Sequence, residues 1–167
     1  MVEKLVRQYF SCLFEAYEFS VATLVHFPDF GNWAMVLLSE HCRILFHKDR
    51  GELAMAFGPL GSHRTWNRKP RTTWDSGPWY DVGFVLAYLE LDQSLLTKHY
   101  PPERLDKQMR NIAEKVLPYI REVCELFQED RFWLEKDRLD GFCHKEIEGQ
   151  LDSLLGGDGH RSPEKNF

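Results

Sequence analysis

The stretch from residue 21 to residue 58 is the part of the chain whose hydrophobic pattern predicts a β-sheet. It consists of four short apolar runs, VATLVHF, WAMVLLS, CRILFHK and LAMAFG, separated by the turn segments PDFGN, EH and DRGE. In the third run Cys42, Ile44 and Phe46 fall on one side and the residues between them on the other, as in a half-buried strand. Because short turns join these runs, the pattern predicts a four-stranded antiparallel meander.

Small residues in this stretch predict its turns and its packing. Gly31 and Gly51 lie in two of the turns, where the backbone is expected to adopt positive φ. Ala54 and Ala56 share one side of the fourth run. Side chains this short would let another segment pack closely against that side of the sheet.

Helical periodicity precedes and follows the predicted sheet. Residues 2–17 carry an apolar stripe at helical spacing, which predicts an amphipathic N-terminal helix. A second helix is expected to begin after Asp81, whose carboxylate can accept hydrogen bonds from the free amides of the first turn. Leu89 and Leu95 belong to the apolar stripe of that helix, and Gly83 would permit a close crossing over the sheet.

Two longer helical patterns complete the chain. The stripe from residue 103 to residue 127 predicts a helix that is kinked at Pro118. The pattern from residue 131 to residue 155 predicts a final helix, interrupted at Gly141 and ended by the Gly156-Gly157 pair. The residues of this helix that we expect to be buried are Leu134, Leu139, Phe142, Ile147, Leu151 and Leu154.

These elements predict an α+β fold: an N-terminal helix, a four-stranded antiparallel meander and three C-terminal helices. A chain of 167 residues has the size of one domain, which we assign to residues 1–156. The polar residues 157–167 are expected to form a disordered tail.

The sequence predicts no contact with a membrane. Every apolar run is broken well before the roughly 20 residues that a membrane span needs. The first residues, MVEK, do not lead into the apolar core of a signal peptide. We therefore expect a cytoplasmic protein.

The segment 59–80 shows neither the two-residue period of a strand nor the period of a helix, and it is the candidate contact surface. Its sequence is PLGSHRTWNRKPRTTWDSGPWY. It holds four Lys or Arg residues against one acidic residue, although the whole chain has a net charge of −5. Structureless connections of this length are uncommon in compact domains and tend to be functional or disordered. Arginine and tryptophan are enriched at binding hot spots, because each combines a large contact area with a polar group. The candidate partner-binding residues are Arg64, Trp66, Arg68, Lys69, Arg71 and Trp74.

Two other interpretations of this segment stay open. Cationic and aromatic side chains together also suit the phosphates and stacked bases of a nucleic acid. Alternatively, Trp74 and Trp79, which flank Gly77-Pro78, plug the end of the core.

Motifs of catalysis and of cofactor binding are absent from the sequence. It contains no Gly-rich phosphate loop, G-x-S-x-G elbow, H-E-x-x-H or paired C-x-x-C. We therefore expect no enzymatic activity, no cofactor and no metal. The carboxylates between residues 122 and 137 are interpreted as a solvated helix face, with an acidic partner-binding surface as the alternative.

The four cysteines are widely spaced within apolar patterns, which favours buried free thiols over a disulfide. Cys42 follows His41, and Cys143 precedes His144. Neighbouring residues on a strand or a helix point in different directions, so we interpret each pair as a core cysteine beside a surface histidine. A zinc site built from Cys143, His144 and a distant residue is the alternative.

Three segments together carry a resemblance to known proteins. The segments VRQYFSCLFEAYEFS, FGNWAMVLLSEHCRILFHKDRGELAMAFGP and GPWYDVGFVLAYLE resemble those of small uncharacterised bacterial proteins with a leading helix, an antiparallel meander and trailing helices. The resemblance covers residues 1–98 and rests on structural motifs, so it carries over no functional residue. Glu18 departs from the pattern, because it stands where a glycine helix stop is expected.

The expected function combines the segment with the resemblance. Many proteins of this size and layout are immunity proteins, antitoxins or accessory proteins of bacterial defence systems. The resemblance therefore implies a non-enzymatic protein-binding module that binds and neutralises or recruits a partner protein, such as a toxin or an effector. The alternative is a nucleic-acid-binding accessory protein that uses the basic aromatic segment 61–80.

Overall fold

The computed structural model describes residues 2–28, 31–60, 78–96 and 104–155, with side chains described as far as Ser153. Within these residues two short helices lead into a sheet, and further helices follow it. The helices are α1 Val2–Tyr9, α2 Ser11–Glu15, α3 Val82–Tyr88, α4 Leu105–Val116, α5 Ile120–Leu126 and α6 Glu129–Leu155. The strands are β1 Ser20–His26, β2 Trp33–Leu38, β3 Arg43–Asp49, β4 Glu52–Gly58 and β5 Tyr80–Asp81.

The predicted α+β fold and its antiparallel meander are confirmed. The strands lie in the sheet in chain order from β1 to β5, and each pairs antiparallel with the next. Gly31 and Gly51 have φ values of 63° and 94°, as their turns require. The hydrophobic pattern does not predict β5, because two residues are too few to show a period. This strand extends the sheet by pairing Tyr80 with Phe57 of β4.

The main core lies between one face of the sheet and the helices. Alternate residues of β3 and β4 point into it. From the N-terminal segment, the Phe10 ring packs edge-on against Phe46, with 4.9 Å between the ring centroids. From the C-terminal helices, Phe127 stacks on Phe57, with 5.9 Å between the centroids. Burial of such large apolar surfaces is the main force that holds the helices on the sheet.

The predicted N-terminal helix is divided at Phe10 into α1 and α2. The backbone of Phe10 leaves helical geometry, with φ −124° and ψ 36°, and its side chain is fully buried. Glu18, which stands where the resemblance has a glycine, adopts φ 54°. This left-handed conformation is the one that glycine adopts without steric cost.

The predicted start of α3 is confirmed, but its predicted length is wrong. Asp81 is the N-cap, and its Oδ1 accepts a hydrogen bond of 2.8 Å from the Gly83 amide. The helix ends at Tyr88, so Leu95 is buried from the connection that follows it. Gly83 permits a close approach by this connection, since a Cβ at Gly83 would lie 2.6 Å from the Leu95 carbonyl oxygen.

Pro118 was predicted to kink one helix, and the structure shows a break between two helices at this residue. A 3-10 turn, Leu117–Tyr119, separates α4 from α5. A proline inside a helix removes a backbone donor and clashes with the preceding turn, which accounts for the break.

The predicted interruption of α6 at Gly141 is wrong. The helix continues through this residue, and a Cβ at Gly141 would meet no atom within 4 Å. A glycine at an exposed helix position costs only about 1 kcal/mol relative to alanine, which packing elsewhere in the helix offsets. The Gly156-Gly157 pair and the predicted tail 157–167 lie outside the described residues.

The predicted burial is also wrong for three of the six residues named in α6. Leu134 is 82% exposed, and Ile147 and Leu151 are exposed as well. Leu139 is fully buried, Phe142 is half-buried, and the side chain of Leu154 lies outside the described ones. Because α6 packs on α3 and α5 along one side, an apolar residue on its other sides has no partner among the described elements.

None of the helices in the described ranges combines the length and the apolar character that crossing a membrane requires.

Candidate functional site

The candidate partner-binding residues Arg64, Trp66, Arg68, Lys69, Arg71 and Trp74 lie outside the described residues, as does every residue from 61 to 77. Their role therefore stays a prediction. The structure does describe the residues on either side of this segment, which lie at the end of two neighbouring strands.

The two ends of the segment 61–77 are held next to each other. β4 ends at Gly58 and β5 begins at Tyr80, and the two strands are hydrogen-bonded neighbours. Gly58 lies so near Pro78 that a Cβ on Gly58 would be 2.8 Å from the Pro78 carbonyl oxygen. The residues that flank the segment therefore meet at one place, the end of the β4–β5 ladder.

Arg43 lies beside this place, on the face of the sheet opposite the main core. Its side chain is fully buried, and its Cζ lies 4.0 Å from the ring centroid of Trp79. Gly58 pairs with Arg43 across the ladder and leaves room for the guanidinium, because a Cβ there would lie 3.1 Å from Nη2. This face also carries a second apolar cluster, formed by Ala34, Val36, Leu45 and Ala56 with Phe27 and Trp79 packed on it.

Arg43 and Trp79 together form a cluster of buried hydrogen-bond donors. Among the residues that the structure describes, no hydrogen-bond partner contacts Nε, Nη1 or Nη2 of Arg43 or Nε1 of Trp79, and all four atoms are buried. A guanidinium and an indole can only donate. Burial lowers the pKa of Arg43 to about 10, so the side chain is still charged at neutral pH. Burying such a charge unpaired is costly, whereas a carboxylate or a phosphate could accept from several of these groups at once.

The sequence pattern indicates only part of this donor cluster. Strand alternation places Arg43 on the side away from Cys42 and Ile44, which the structure confirms. Alternation does not predict that this side is buried. Trp79 was considered as a plug for the end of the core, and it packs instead on the second cluster and on Arg43. Trp74, the other residue of that interpretation, lies outside the described residues.

A pocket of about 430 Å³ opens on the other side of β5, between β5, α3 and α6. The side chains that line it are Trp79, Tyr80, Asp81, Phe84, Asp140, Cys143, His144 and Ile147. Cys143 and His144 are neighbours in the sequence and were candidate zinc ligands, but the sequence pattern does not predict this pocket. Its walls come from residues about 60 positions apart in the chain, as the contact between Tyr80 and Asp140 illustrates.

Asp140 is the best-anchored polar group of this pocket. Tyr80 Oη donates a hydrogen bond of 2.6 Å to its Oδ1, and Lys136 Nζ donates to its Oδ2. Burial alone would raise the pKa of Asp140, but the hydrogen bonds from Lys136 and Tyr80 lower it below its usual value. Asp140 is therefore ionised at neutral pH.

The thiol of Cys143 lies in the same pocket and stays protonated. Burial, followed by the carboxylates of Asp140 and Asp81, raises the pKa of Cys143 to about 11. His144 is exposed and contacts Glu148, with 3.1 Å between Nε2 and Oε1. Among the described residues no three His, Cys, Asp or Glu side chains are placed to hold a metal ion, so the zinc alternative has no support there.

All four cysteines are free, as predicted, but the predicted burial holds only for Cys42 and Cys124, since Cys12 and Cys143 are partly exposed. Cys42 and Cys124 are buried in the main core, with 3.7 Å between their sulfur atoms. The hydrogen bond to Cys124, and then burial, raise the pKa of Cys42 well above its usual value. These thiols are therefore packed as core side chains.

The structure shows an α+β protein in which Trp79 belongs both to a cluster of buried donors and to a pocket lined by two carboxylates. No protein family, curated protein or solved structure significantly matches this chain.

Proposed function

We propose that this protein is a non-enzymatic binding module whose contact surface is the segment 61–80, with the fully buried Arg43 beside the ends of this segment. The partner is a protein that presents acidic groups. The observation that supports this proposal is the buried donor cluster of Arg43 and Trp79.

The charge of the segment agrees with the chemistry of the donor cluster. A carboxylate at Arg43 would satisfy the donors that have no acceptor and would form strong charge-assisted hydrogen bonds. Arg64, Arg68, Lys69 and Arg71 belong to the same connection and have the same sign of charge. Matching charges on a partner speed its association and exclude partners of the wrong sign.

The resemblance to toxin-immunity and defence-accessory proteins makes the proposal more specific. An acidic partner of such a protein would be a toxin or an effector that it neutralises or recruits. Arg64, Trp66, Arg68, Lys69, Arg71 and Trp74 are the proposed anchors.

The test is a charge reversal in the segment with a matched reversal elsewhere. The variant Arg68→Glu, Lys69→Glu, Arg71→Glu is compared with Lys4→Glu, Lys107→Glu, Lys145→Glu, whose three cations are exposed on α1, α4 and α6. Both variants change the net charge equally. Proteins captured from the native host by tagged protein are quantified by mass spectrometry.

We expect the segment variant to capture its partner at least about tenfold less well than the wild type, because hot-spot residues contribute more than about 1 kcal/mol each. The helix variant should stay within about twofold of the wild type. Equal capture by the segment variant and the wild type would contradict the proposal.

Nucleic-acid binding is the second candidate, and the same donor cluster is the observation that favours it. A phosphate accepts hydrogen bonds from a guanidinium as a carboxylate does. The excess of carboxylates over the whole chain opposes binding to a polyanion. Gel shifts of single-stranded DNA and RNA decide the point, because electrostatic binding through about four phosphates would appear at low salt and weaken steeply as salt is added. Absence of a shift at low salt removes this candidate.

A further inference from the structure

The pocket between β5, α3 and α6 combines aromatic walls with negative charge. Trp79, Tyr80 and Phe84 supply three aromatic side chains, and Ile147 supplies an aliphatic one. Its volume of about 430 Å³ lies within the range of small-molecule sites and exceeds what a single side chain needs.

Two carboxylates line this pocket, and both are fixed by hydrogen bonds. Asp81 Oδ1 is held by the Gly83 amide at 2.8 Å, and Asp140 Oδ1 is held by Tyr80 Oη at 2.6 Å. The pocket has no Lys or Arg among its described lining residues. The cation nearest to Asp140 is Lys136, which contacts Oδ2 of that carboxylate and is not one of the lining residues.

The carboxylates of the pocket affect the pKa values of two neutral groups, the Cys143 thiol and the Tyr80 hydroxyl. After burial, the carboxylates of Asp140 and Asp81 are the largest causes that raise the pKa of Cys143. Burial, and then the hydrogen bond to Asp140 and the charge of Asp140, raise the pKa of Tyr80. Burial, the first cause of both shifts, disfavours a charge of either sign, whereas the carboxylates disfavour a second negative charge in the pocket.

We propose that this pocket binds an organic cation, an alkylammonium or guanidinium group, between its aromatic walls and the two carboxylates. Aromatic faces attract a cation through their quadrupole, most strongly where water is excluded. The carboxylates accept its N–H groups in charge-assisted hydrogen bonds. The group belongs either to a Lys or Arg side chain of a peptide or to a free polyamine.

This inference does not depend on the proposed role of the segment 61–80. The pocket and the donor cluster have opposite electrostatic character and share only Trp79. If charge reversal of the segment left partner capture unchanged, the cation site would stand.

The experiment is a titration of the full chain with small probes. Binding of each probe is measured by calorimetry and by protein NMR. The cationic probes are N-acetyl-lysine methylamide, N-acetyl-arginine methylamide and spermidine. The control probes are the neutral isostere N-acetyl-norleucine methylamide and the anionic N-acetyl-glutamate methylamide.

We expect at least one cationic probe to bind about tenfold or more tightly than norleucine amide, and glutamate amide not to bind. Tighter binding of the lysine or arginine amide than of spermidine assigns the site to a protein partner, and the reverse order assigns it to a free polyamine. Binding of norleucine amide as tight as that of the cations, or no binding of any cation, overturns the proposal.

Two conservative variants locate the binding, and a third is their control. Asp140→Asn keeps a group that can accept from Tyr80, and Asp81→Asn keeps a good helix N-cap. Asp137→Asn removes an exposed carboxylate of α6 that does not line the pocket. We expect the first two variants to weaken binding of the best cationic probe about tenfold, and the control to stay within about twofold. An equal effect of all three variants overturns the assignment to this pocket.

The pKa of Cys143 gives an independent measure of the negative charge that the two carboxylates place in the pocket. Loss of either carboxylate removes one cause that raises this pKa, so alkylation of Cys143 at mildly alkaline pH should become several-fold faster in Asp140→Asn or Asp81→Asn. Asp137→Asn should leave the rate unchanged. Cys12→Ser, Cys42→Ser, Cys124→Ser in the background confines the signal to Cys143.

Discussion

At the scale of the single residue, the proposed function would make Arg43 link stability to binding. Its guanidinium is fully buried on the face of the sheet opposite the main core, and none of its nitrogen atoms has an acceptor within the part of the chain that the structure describes. A charge held in this way destabilises the free protein and becomes favourable only when an anion arrives.

Replacing Arg43 by methionine should therefore stabilise the free protein and impair binding. Arg43→Met keeps an unbranched side chain of similar length and removes the buried charge, at the cost of the contact with Trp79. We expect the free energy of unfolding to rise by about 1 kcal/mol or more, measured by urea denaturation, because apolar replacements of buried charges are often stabilising by this amount. Partner capture should fall at least as much as in the segment variant.

A suitable control is Arg104→Met, because Arg104 is exposed and should change neither quantity. A loss of stability of more than about 1 kcal/mol in Arg43→Met would mean that the chain itself supplies the missing acceptor. In that case the buried donors would carry no information about a partner.

At the scale of the element, Gln108 joins α4 to the hairpin of β3 and β4. Its side chain is 2% exposed, and its Oε1 accepts a hydrogen bond of 2.7 Å from the Leu53 amide. Its Nε2 donates a bond of 2.8 Å to the Gly51 carbonyl oxygen. A single amide thus satisfies two backbone groups at the turn against which the helix packs.

Gln108→Leu should destabilise the protein by about 2–4 kcal/mol, because it leaves a buried amide and a carbonyl without partners. Denaturation in urea measures the change. Gln128→Leu, at an exposed position between α5 and α6, is the control and should change stability by less than about 0.5 kcal/mol. A cost for Gln108→Leu as small as that of the control would show that the two hydrogen bonds contribute nothing net.

At the scale of the whole molecule, Asp140 links the pH of the solution to the packing of α6 on the sheet. Its pKa is lower in the folded protein than the ordinary value of 3.8, since hydrogen bonds from Lys136 and Tyr80 outweigh burial. The stabilisation that the ionised group supplies is therefore present above its unfolded pKa and is lost as the pH falls through the folded pKa. For Lys136 the hydrogen bond to Asp140 raises the pKa from 10.5, so its contribution is present below that value and is lost as the pH rises through the folded pKa.

Between about pH 5 and pH 3 the wild type should lose more stability than Asp140→Asn, by about 0.5 kcal/mol. This amount is small because Asp140 is partly exposed and solvent screens its ion pair. Urea denaturation at a series of pH values measures it, with Asp137→Asn as the control that should follow the wild type. Parallel curves for the wild type and Asp140→Asn would show that the ionisation of Asp140 is not coupled to folding.

Local sequence patterns predicted more of the fold than of the candidate site. The period of two residues located β1 to β4, Asp81 and Pro118 were identified from their capping and helix-breaking chemistry, and the helical stripes located the longer helices. These features depend on neighbours within a few residues, so the sequence contains them directly. The composition of the segment 61–80 predicts a contact surface, and the structure describes only residues 78–80 of this segment.

The features that carry the two proposals depend on contacts between distant residues. Arg43 and Trp79 are 36 positions apart by their numbers, and Tyr80 and Asp140 are 60 positions apart. No local period reports which face of a strand or helix another element will cover, so the burial of Arg43 and the exposure of Leu134 were not predictable. The hydrophobic pattern also does not predict β5, the strand at the edge of the sheet, because two residues are too few to show a period.

By itself the sequence determined the α+β class, the antiparallel meander and the starts and breaks of most helices, because short-range sterics, capping and periodicity decide these. Tertiary structure alone decided which polar groups are withdrawn from water and which meet, and therefore where a cation lacks an acceptor and where carboxylates line a pocket. Burial is a property of the assembled layers, since it depends on segments that the chain brings together only when it folds.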